Sequence, residues 1–596
     1  MRLTRRTFVK AAAAFAAAPP LRASAESGSR EPLRQFDYAD VRLTGGPFAE
    51  QYDALHAHYL ALSNDRLLKV YRQRAGLPAP GQDMGGWYDL NGFVPGHSLG
   101  QYISGLARFG ASTGDAACVQ KVHELVNGFA ATLGAENQSI LRPQTNQWIC
   151  YTLDKHFAGM IDAATLSGVQ EAKETMERVF AGAQSLLPAQ GRDRIGKKDP
   201  PYDETFVMPE NLFRAAEITG NAKFREQAER YLLDKELFDP LARGGDPLPG
   251  QHAYSHAIAL SSAAKAWLVL GEPKYKQAVQ QAFTLLTTQQ QFASGGWGPN
   301  ETFITPHKGQ LYDSLSTTVD HFETPCGAYA ATKLARYLIR FTEAPKNTVH
   351  GDNLERVLFN TILAVKPPDS DGGYPYYSTY SPAAEKVFYS KKWPCCSGTL
   401  AQTVADYPMN LYFQSADGLY VNLYTPSQVK FTHADTPIEL TQETRFPADD
   451  RTTITLRMAG EATFAVHLRI PSWIGHSATL RLNGKDVATA TRRGTYAVVR
   501  RTWRSGDRLE LILPQGFRTE AIDDLHPETV ALMRGPVQYV ALNPAPELGR
   551  ERLKLPGGLR QIAAQAFVEN YAGREVVFVP LCQVRDETYT SYFTKA

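Results

Sequence analysis

Trp393-Pro394-Cys395-Cys396 holds two of the six cysteines in a chain of 596 residues, and Cys326 lies about seventy positions earlier in Glu323-Thr324-Pro325-Cys326. Adjacent cysteines are poor disulfide partners: a bridge joins Cα atoms roughly 4.4–6.8 Å apart, whereas neighbouring Cα atoms sit at about 3.8 Å. Two vicinal thiols with a third thiol and a carboxylate point instead to a thiolate-rich metal site. From the residues alone, a site so fully ligated by protein is more often a staple between elements than a reactive centre. Cys118, Cys150 and Cys582 are scattered and read as small buried hydrophobes. A Cys118–Cys150 bridge is the pairing that an oxidising compartment would permit.

Residues 43–416 must position this cluster, and they read as helix after helix. Ser98 to Ala107 and Ala116 to Leu133 put apolar residues on one face at three-to-four spacing. Turn signals at Gly114, Gly168, Gly220 and Gly271 recur about every 50 to 55 residues, the length of a helical hairpin with its connections. Glu343-Ala344-Pro345 comes later than that period predicts. The surplus lies between about Gln290 and Phe322, in a long loop of the kind that usually carries function. With Leu354 to Val365 and Ser397 to Tyr412 added, about twelve helices are expected, arranged as a closed (α/α)6 barrel rather than an open solenoid. From residue 417 the period changes to two, in runs such as Ala465 to Ile470 and Arg508 to Leu513. A β-sandwich over 417–545 is expected, followed by a C-terminal β region over 546–596 that completes it or begins a second small sandwich.

Residues 1–25 read as an address. Thr4-Arg5-Arg6-Thr7-Phe8-Val9-Lys10 carries paired arginines, Ala11 to Ala18 is apolar, and Ala23-Ser24-Ala25 offers small residues for cleavage. The run is far short of the ~20 residues that span a bilayer, so the expectation is export by the twin-arginine route to the periplasm or beyond, with no membrane span in the mature chain. A polar linker over 26–42 follows. A net charge of +2, with 21% charged and 43% hydrophobic residues, gives no reason to invoke nucleic acid.

The motifs together resemble bacterial β-L-arabinofuranosidase-like proteins, glycoside hydrolase family 127. Gly96-His97-Ser98-Leu99-Gly100-Gln101-Tyr102 is similar to the family's Gly-His-x-x-Gly-His-Tyr, Leu354 to Asn360 to its Glu-Arg-x-Leu-x-Asn helix, and Pro394-Cys395-Cys396 to its paired cysteines. Leu468 to Trp473, Asn483-Gly484, Arg501 to Asp507 and Arg534-Gly535-Pro536 recur in order. The resemblance implies a retaining glycosidase with a Zn2+ site, acting on a carbohydrate such as a plant-derived glycan. It implies Cys395 as nucleophile and zinc ligand, Cys396, Cys326 and Glu323 as the other ligands, and Glu301 in Gly298 to Phe303 as general acid/base. His252 in Gln251-His252-Ala253 resembles a sugar-contacting histidine, and Glu210 a substrate contact. His97 follows Pro95-Gly96 and either lines the cleft or makes a helix-terminus hydrogen bond.

Two positions depart from the family pattern. Glu323 precedes its cysteine by three positions rather than two, with Pro325 between, so Asp320 and His321 stand as substitute ligands. Met208-Pro209-Glu210 replaces His-Pro-Glu, which removes a donor for a sugar hydroxyl and bears on which sugar is accepted. Three other readings stay beside the leading one: the same chemistry on a different uncommon sugar, a non-catalytic carbohydrate-binding protein with a structural zinc, and an (α/α)6 lyase. The lyase gives the cysteine pair no role.

Overall fold

The computed structural model describes residues 30–134, 148–191, 203–318, 320–342, 347–543, 552–571 and 573–596. The twin-arginine segment and the Glu343-Ala344-Pro345 turn lie outside them. The helical period between residues 43 and 416 becomes α1 (Gly46–Ala61), α2 (Asn64–Arg74), α3 (Leu99–Thr113), α4 (Ala116–Ala130), α5 (Ile149–Leu166) and α6 (Glu171–Ala183). It continues as α7 (Pro209–Thr219), α8 (Ala222–Arg230), the short α9 (Asp239–Ala242), α10 (Ala253–Leu270) and α11 (Pro273–Leu285). The last are α12 (Gln310–Thr317), α13 (Thr324–Arg340), α14 (Val349–Val357) and α15 (Cys396–Ala405).

Six of these helices pack in a circuit: α3 on α5, α5 on α7, α7 on α10, α10 on α13, α13 on α15, and α15 back on α3. Outside them, α4, α6, α8, α11 and α14 each pair with the inner helix that they adjoin in sequence, and α1 packs on α15. The inner helices α3, α5 and α10 are buried over most of their surface, which is why they lack a charged face. α3 and α5 approach closely: a Cβ on Gly100 would stand 2.0 Å from the carbonyl oxygen of Lys155, and one on Gly159 2.3 Å from that of Gly100. Among the described residues, no helix is long and apolar enough to cross a membrane.

Among the described residues, the β region contains three large sheets. A five-stranded sheet runs Arg34–Gln35, Tyr412–Ser415, Gly418–Val421, Glu461–Ile470, Thr495–Arg504, and a seven-stranded sheet ends on Val41–Leu43. Residues 34–42, expected in a linker, thus supply most of the edge strands Arg34–Gln35 and Val41–Leu43 to both sheets, and Phe36 meets Phe431 edge to face. The third sheet has nine strands and takes in Phe517–Ala521, Thr529–Arg534 and Val537–Leu542 together with the C-terminal strands. The second β unit therefore begins near residue 517 and not at 546.

Several recurring motifs turn out to be domain joints. Arg469 and Glu355, both with fully buried side chains, pair at 2.7 Å, and the Trp473 indole donates to Glu355 at 2.7 Å. The next residue, Arg356, grips Glu520 through both terminal guanidinium nitrogens at 2.6 and 2.9 Å. Asn360 donates to the Pro536 carbonyl and accepts from the Gln538 N–H, each at 2.8 Å.

Candidate active site

Two neighbouring inner helices begin at the same point. Glu323 is the N-cap of α13, and Thr324, Pro325 and Cys326 form its first turn; Cys395 is the N-cap of α15 and Cys396 its first helical residue. Pro325 opens α13 without loss, because a first-turn N–H has no intrahelical acceptor. The three-residue spacing then places Glu323 and Cys326 at N-cap and N3, positions whose side chains share one side of the turn, as in a capping box. Upstream of α15, buried Trp393 adopts a left-handed φ of 51° and anchors its indole on the Met84 carbonyl at 2.7 Å.

The four candidate ligands converge. Their donor atoms all lie within 4.8 Å of one another, and all four residues are buried. Cys395 Sγ is 3.0 Å from Glu323 Oε1, Cys326 Sγ is 3.5 Å from Cys395 and 3.2 Å from Cys396, and Cys396 is 3.8 Å from the same carboxylate oxygen. Thr399 Oγ1 stands 3.1 Å from Cys326 Sγ. Three sulfurs and one carboxylate oxygen at these spacings fit a single divalent ion of intermediate softness, and the positive ends of two helix dipoles favour their ionised forms.

The thiols are not equivalent. Burial opposes ionisation of Cys395, yet hydrogen bonds from Cys326 and Cys396 and the charge of Lys155 hold its thiol well below the usual range. Burial pushes Cys326, Cys396 and Glu323 well up. Lys155 is buried, with its ammonium 3.4 Å above the Tyr151 ring.

Cys395 and Glu323, but not Cys326 or Cys396, reach the wall of a cavity of about 280 Å³. Glu301 and His252 line it too, with Glu204 and the rings of Trp87, Trp148, Tyr254 and Tyr376. Glu301 follows Asn300 on the long loop, both at positive φ, and Thr302 pairs with His252 in an isolated β-bridge. The Tyr377 hydroxyl donates to Glu301 Oε1 at 2.7 Å, and His252 Nε2 stands 3.5 Å from Oε2. Burial raises the Glu301 carboxyl, but the hydrogen bonds from His252 and Tyr377 outweigh it and leave the group below its ordinary value.

The sequence comparisons fit this geometry. The pattern described as "Beta-L-arabinofuranosidase, GH127 catalytic domain" matches residues 40–409, and that of the GH127 middle domain matches residues 418–515. The chain belongs to glycoside hydrolase family 127. A non-reducing end β-L-arabinofuranosidase of Bifidobacterium longum subsp. longum is 25% identical over 319 residues, covering 49% of this chain and 46% of that relative. The GH127 chain thus matches less than half the length of that curated relative. Two solved structures share its fold: a GH127 β-arabinofuranosidase (TM-score 0.72, 17% identity, 95% of this chain and 98% of that one) and a GH127 β-L-arabinofuranosidase from Geobacillus stearothermophilus T6 (TM-score 0.71, 17% identity, 94% and 100%).

Other residues singled out in this GH127 sequence lie away from the cavity wall. His97 is fully buried, with Nδ1 2.6 Å from the Val94 carbonyl oxygen, and burial followed by the charge of Lys155 lowers it to about 3. Glu210 is buried against Lys333 and accepts from Tyr337 at 2.9 Å. Met208 is sealed at the start of α7, so replacing histidine there removes no donor from the wall. Glu323 itself reaches the sulfurs; His321 packs edge-on to Tyr380 instead. No disulfide joins any of the six cysteines.

Sequence reasoning missed Tyr377, Tyr376, Glu204 and Lys155. The first two belong to the aromatic-dense run Tyr374-Pro375-Tyr376-Tyr377-Ser378-Thr379-Tyr380, which was a usable signal. Glu204 and Lys155 carry none in type or spacing.

Proposed function

We propose that this protein is an exported, zinc-dependent retaining glycoside hydrolase that removes β-L-arabinofuranosyl or closely related residues from a glycan. We take the circuit of six inner helices with its outer ring as an (α/α)6 barrel with the site at one end. The observation that carries the reading is the shared cavity: Cys395 Sγ and the Glu301 carboxyl line one space of about 280 Å³, at the small end of ligand sites and suited to one sugar ring. The names of the relatives supply the sugar.

Glu323, Cys326, Cys395 and Cys396 would hold the zinc ion, which keeps the thiols ionised at neutral pH and screens their mutual repulsion. Cys395 is the sulfur with access to substrate. Its thiolate attacks the anomeric carbon while protonated Glu301 gives its proton to the departing oxygen, so the C–O bond breaks as a C–S bond forms. Glu301, now a carboxylate, takes a proton from water as that water attacks the same carbon, and the Cys395 thiolate leaves. Two inversions at one carbon retain configuration. Tyr377 and His252 orient Glu301 through both steps, and the aromatic walls exclude competing water.

A panel of p-nitrophenyl glycosides assayed with wild type and with Cys395→Ser tests the reading. Turnover of the β-L-arabinofuranoside is expected from wild type and lost in the variant. Undiminished activity in Cys395→Ser would falsify the cysteine mechanism. Turnover of another furanoside alone would keep the mechanism and change the sugar.

A further inference from the structure

We propose that His56, Asp115 and Cys118 form a second divalent-cation site of the zinc type, structural in role and separate from the sulfur cluster. His56 Nε2 lies 3.1 Å from Cys118 Sγ and 3.1 Å from Asp115 Oδ2, and the three donor atoms all lie within 4.8 Å of one another. One imidazole nitrogen carries either a single hydrogen or a single lone pair. It therefore satisfies the carboxylate or the thiol, but not both. A cation at the centre of the triangle satisfies all three.

Each donor is held from outside the triangle. The His56 ring, on α1, stacks on Phe109 at 5.2 Å with the planes 12° apart. Asp115 is the N-cap of α4, and its other oxygen accepts from the Ala117 N–H at 2.8 Å, which turns Oδ2 toward His56. Cys118 is fully buried in the first turn of α4. The nearby ammonium of Lys121 is already engaged by the Leu62 carbonyl and by Asn64, at 2.7 Å from the latter.

Metal–ligand bonds of about 2.0–2.3 Å in a tetrahedron put donor atoms about 3.3–3.8 Å apart. The two sides that meet at His56, each 3.1 Å, need to open by only a few tenths of an ångström. His56 and Asp115 side chains are 16% and 29% exposed, which leaves the fourth position to water. Binding releases the Cys118 thiol proton to solvent and leaves a thiolate–metal bond.

The site is far from the cavity. Val94 lines that cavity just before α3, and the 15 residues of α3, rising about 1.5 Å each, carry the chain some 22 Å to the turn that holds Asp115. A metal here ties α1, which packs on α15, to the α3–α4 hairpin, and so closes the helical circuit on its outer side.

Metal content measured on the purified mature chain after zinc loading and dialysis tests this. Two equivalents per chain are expected in wild type, falling to one in Cys118→Ser and in His56→Gln while glycosidase activity is kept. Asp115→Asn preserves the helix cap and is expected to weaken retention of the second equivalent. A single equivalent in wild type, unchanged by the three substitutions, overturns the proposal. If the variants fail to fold, anomalous scattering at the zinc edge from wild-type crystals decides: a peak among the three side chains supports the site, and its absence from zinc-soaked crystals refutes it.

Discussion

Glu323 and Tyr377 are register partners in a two-stranded sheet formed by Phe322–Glu323 and Tyr377–Ser378. One ladder therefore carries the oxygen that completes the sulfur cluster and the hydroxyl that holds Glu301. The Thr324 N–H extends it, donating to the Tyr376 carbonyl at 2.6 Å. Movement of the loop at residues 374–380 would disturb both halves of the chemistry together.

Tyr377→Phe removes a donor that favours the ionised form of Glu301. The carboxyl now lies below its ordinary value, and loss of the bond raises it. A general acid must be protonated, so activity declines as pH rises through its pKa. The alkaline limb of kcat/KM is accordingly expected to move to higher pH in the variant, with a plateau lowered by roughly tenfold or more through poorer orientation. A limb that stays in place would show that Tyr377 does not act through Glu301 ionisation.

Thr399→Val leaves every candidate ligand in place but deletes the hydroxyl 3.1 Å from Cys326 Sγ. Removing such supporting hydrogen bonds typically costs about 10–100-fold in metal affinity. Chelator competition, followed by loss of activity and of bound metal in parallel, is expected to show a drop of that size. Equal affinity in both proteins would assign the hydroxyl to packing alone.

The large divisions were legible because periodicity is local: three-to-four spacing gave the helical array and two-residue spacing the β region. The ligands were legible because cysteine is rare in this chain. What escaped depends on pairing distant in sequence. Tyr377 matters only because its strand lies beside Glu323, and Val41–Leu43 is a strand only because Ser427–His433 accepts it. The one-residue shift at Glu323, which made Asp320 and His321 stand as substitutes, is accommodated because Pro325 lies in the first turn of a helix, so the spacing becomes N-cap and N3. His97 takes the second of its two readings, a hydrogen bond at the helix terminus, and Met208 faces inward, because a position in a motif does not fix which way a side chain faces. The motifs at Glu355 and Arg469, which carry part of the family resemblance, hold the helical and β regions together.

Glu355→Ala is expected to strand the fully buried Arg469 guanidinium, leaving it Asp352 as its remaining acidic partner. Breaking a buried pair from one side costs on the order of 3–5 kcal/mol. Thermal unfolding should begin several degrees lower, with the joint between the helical and β regions failing first. Glu355→Gln can still accept the Trp473 indole and should fall between the variant and wild type. Hydrogen exchange that stays unchanged at this joint would refute the assignment.

The loop that carries Glu301 continues into α12, and the second β unit grips it there. Tyr312 stacks on His526 with centroids 3.8 Å apart and planes 11° from parallel, and its N–H donates to Asp523 at 3.2 Å. His307 pairs with Asp524 at 2.6 Å. The His307–Asp524 pair is exposed, and these surface contacts contribute little to global stability. Their expected effect is on the placement of Glu301, where a displacement of about 1 Å can cost 10²-fold in rate. Tyr312→Ala combined with His307→Ala should therefore lower kcat by tenfold or more while the melting temperature shifts by only a few degrees. Wild-type kcat in the double variant would show that the loop holds its shape without the β unit.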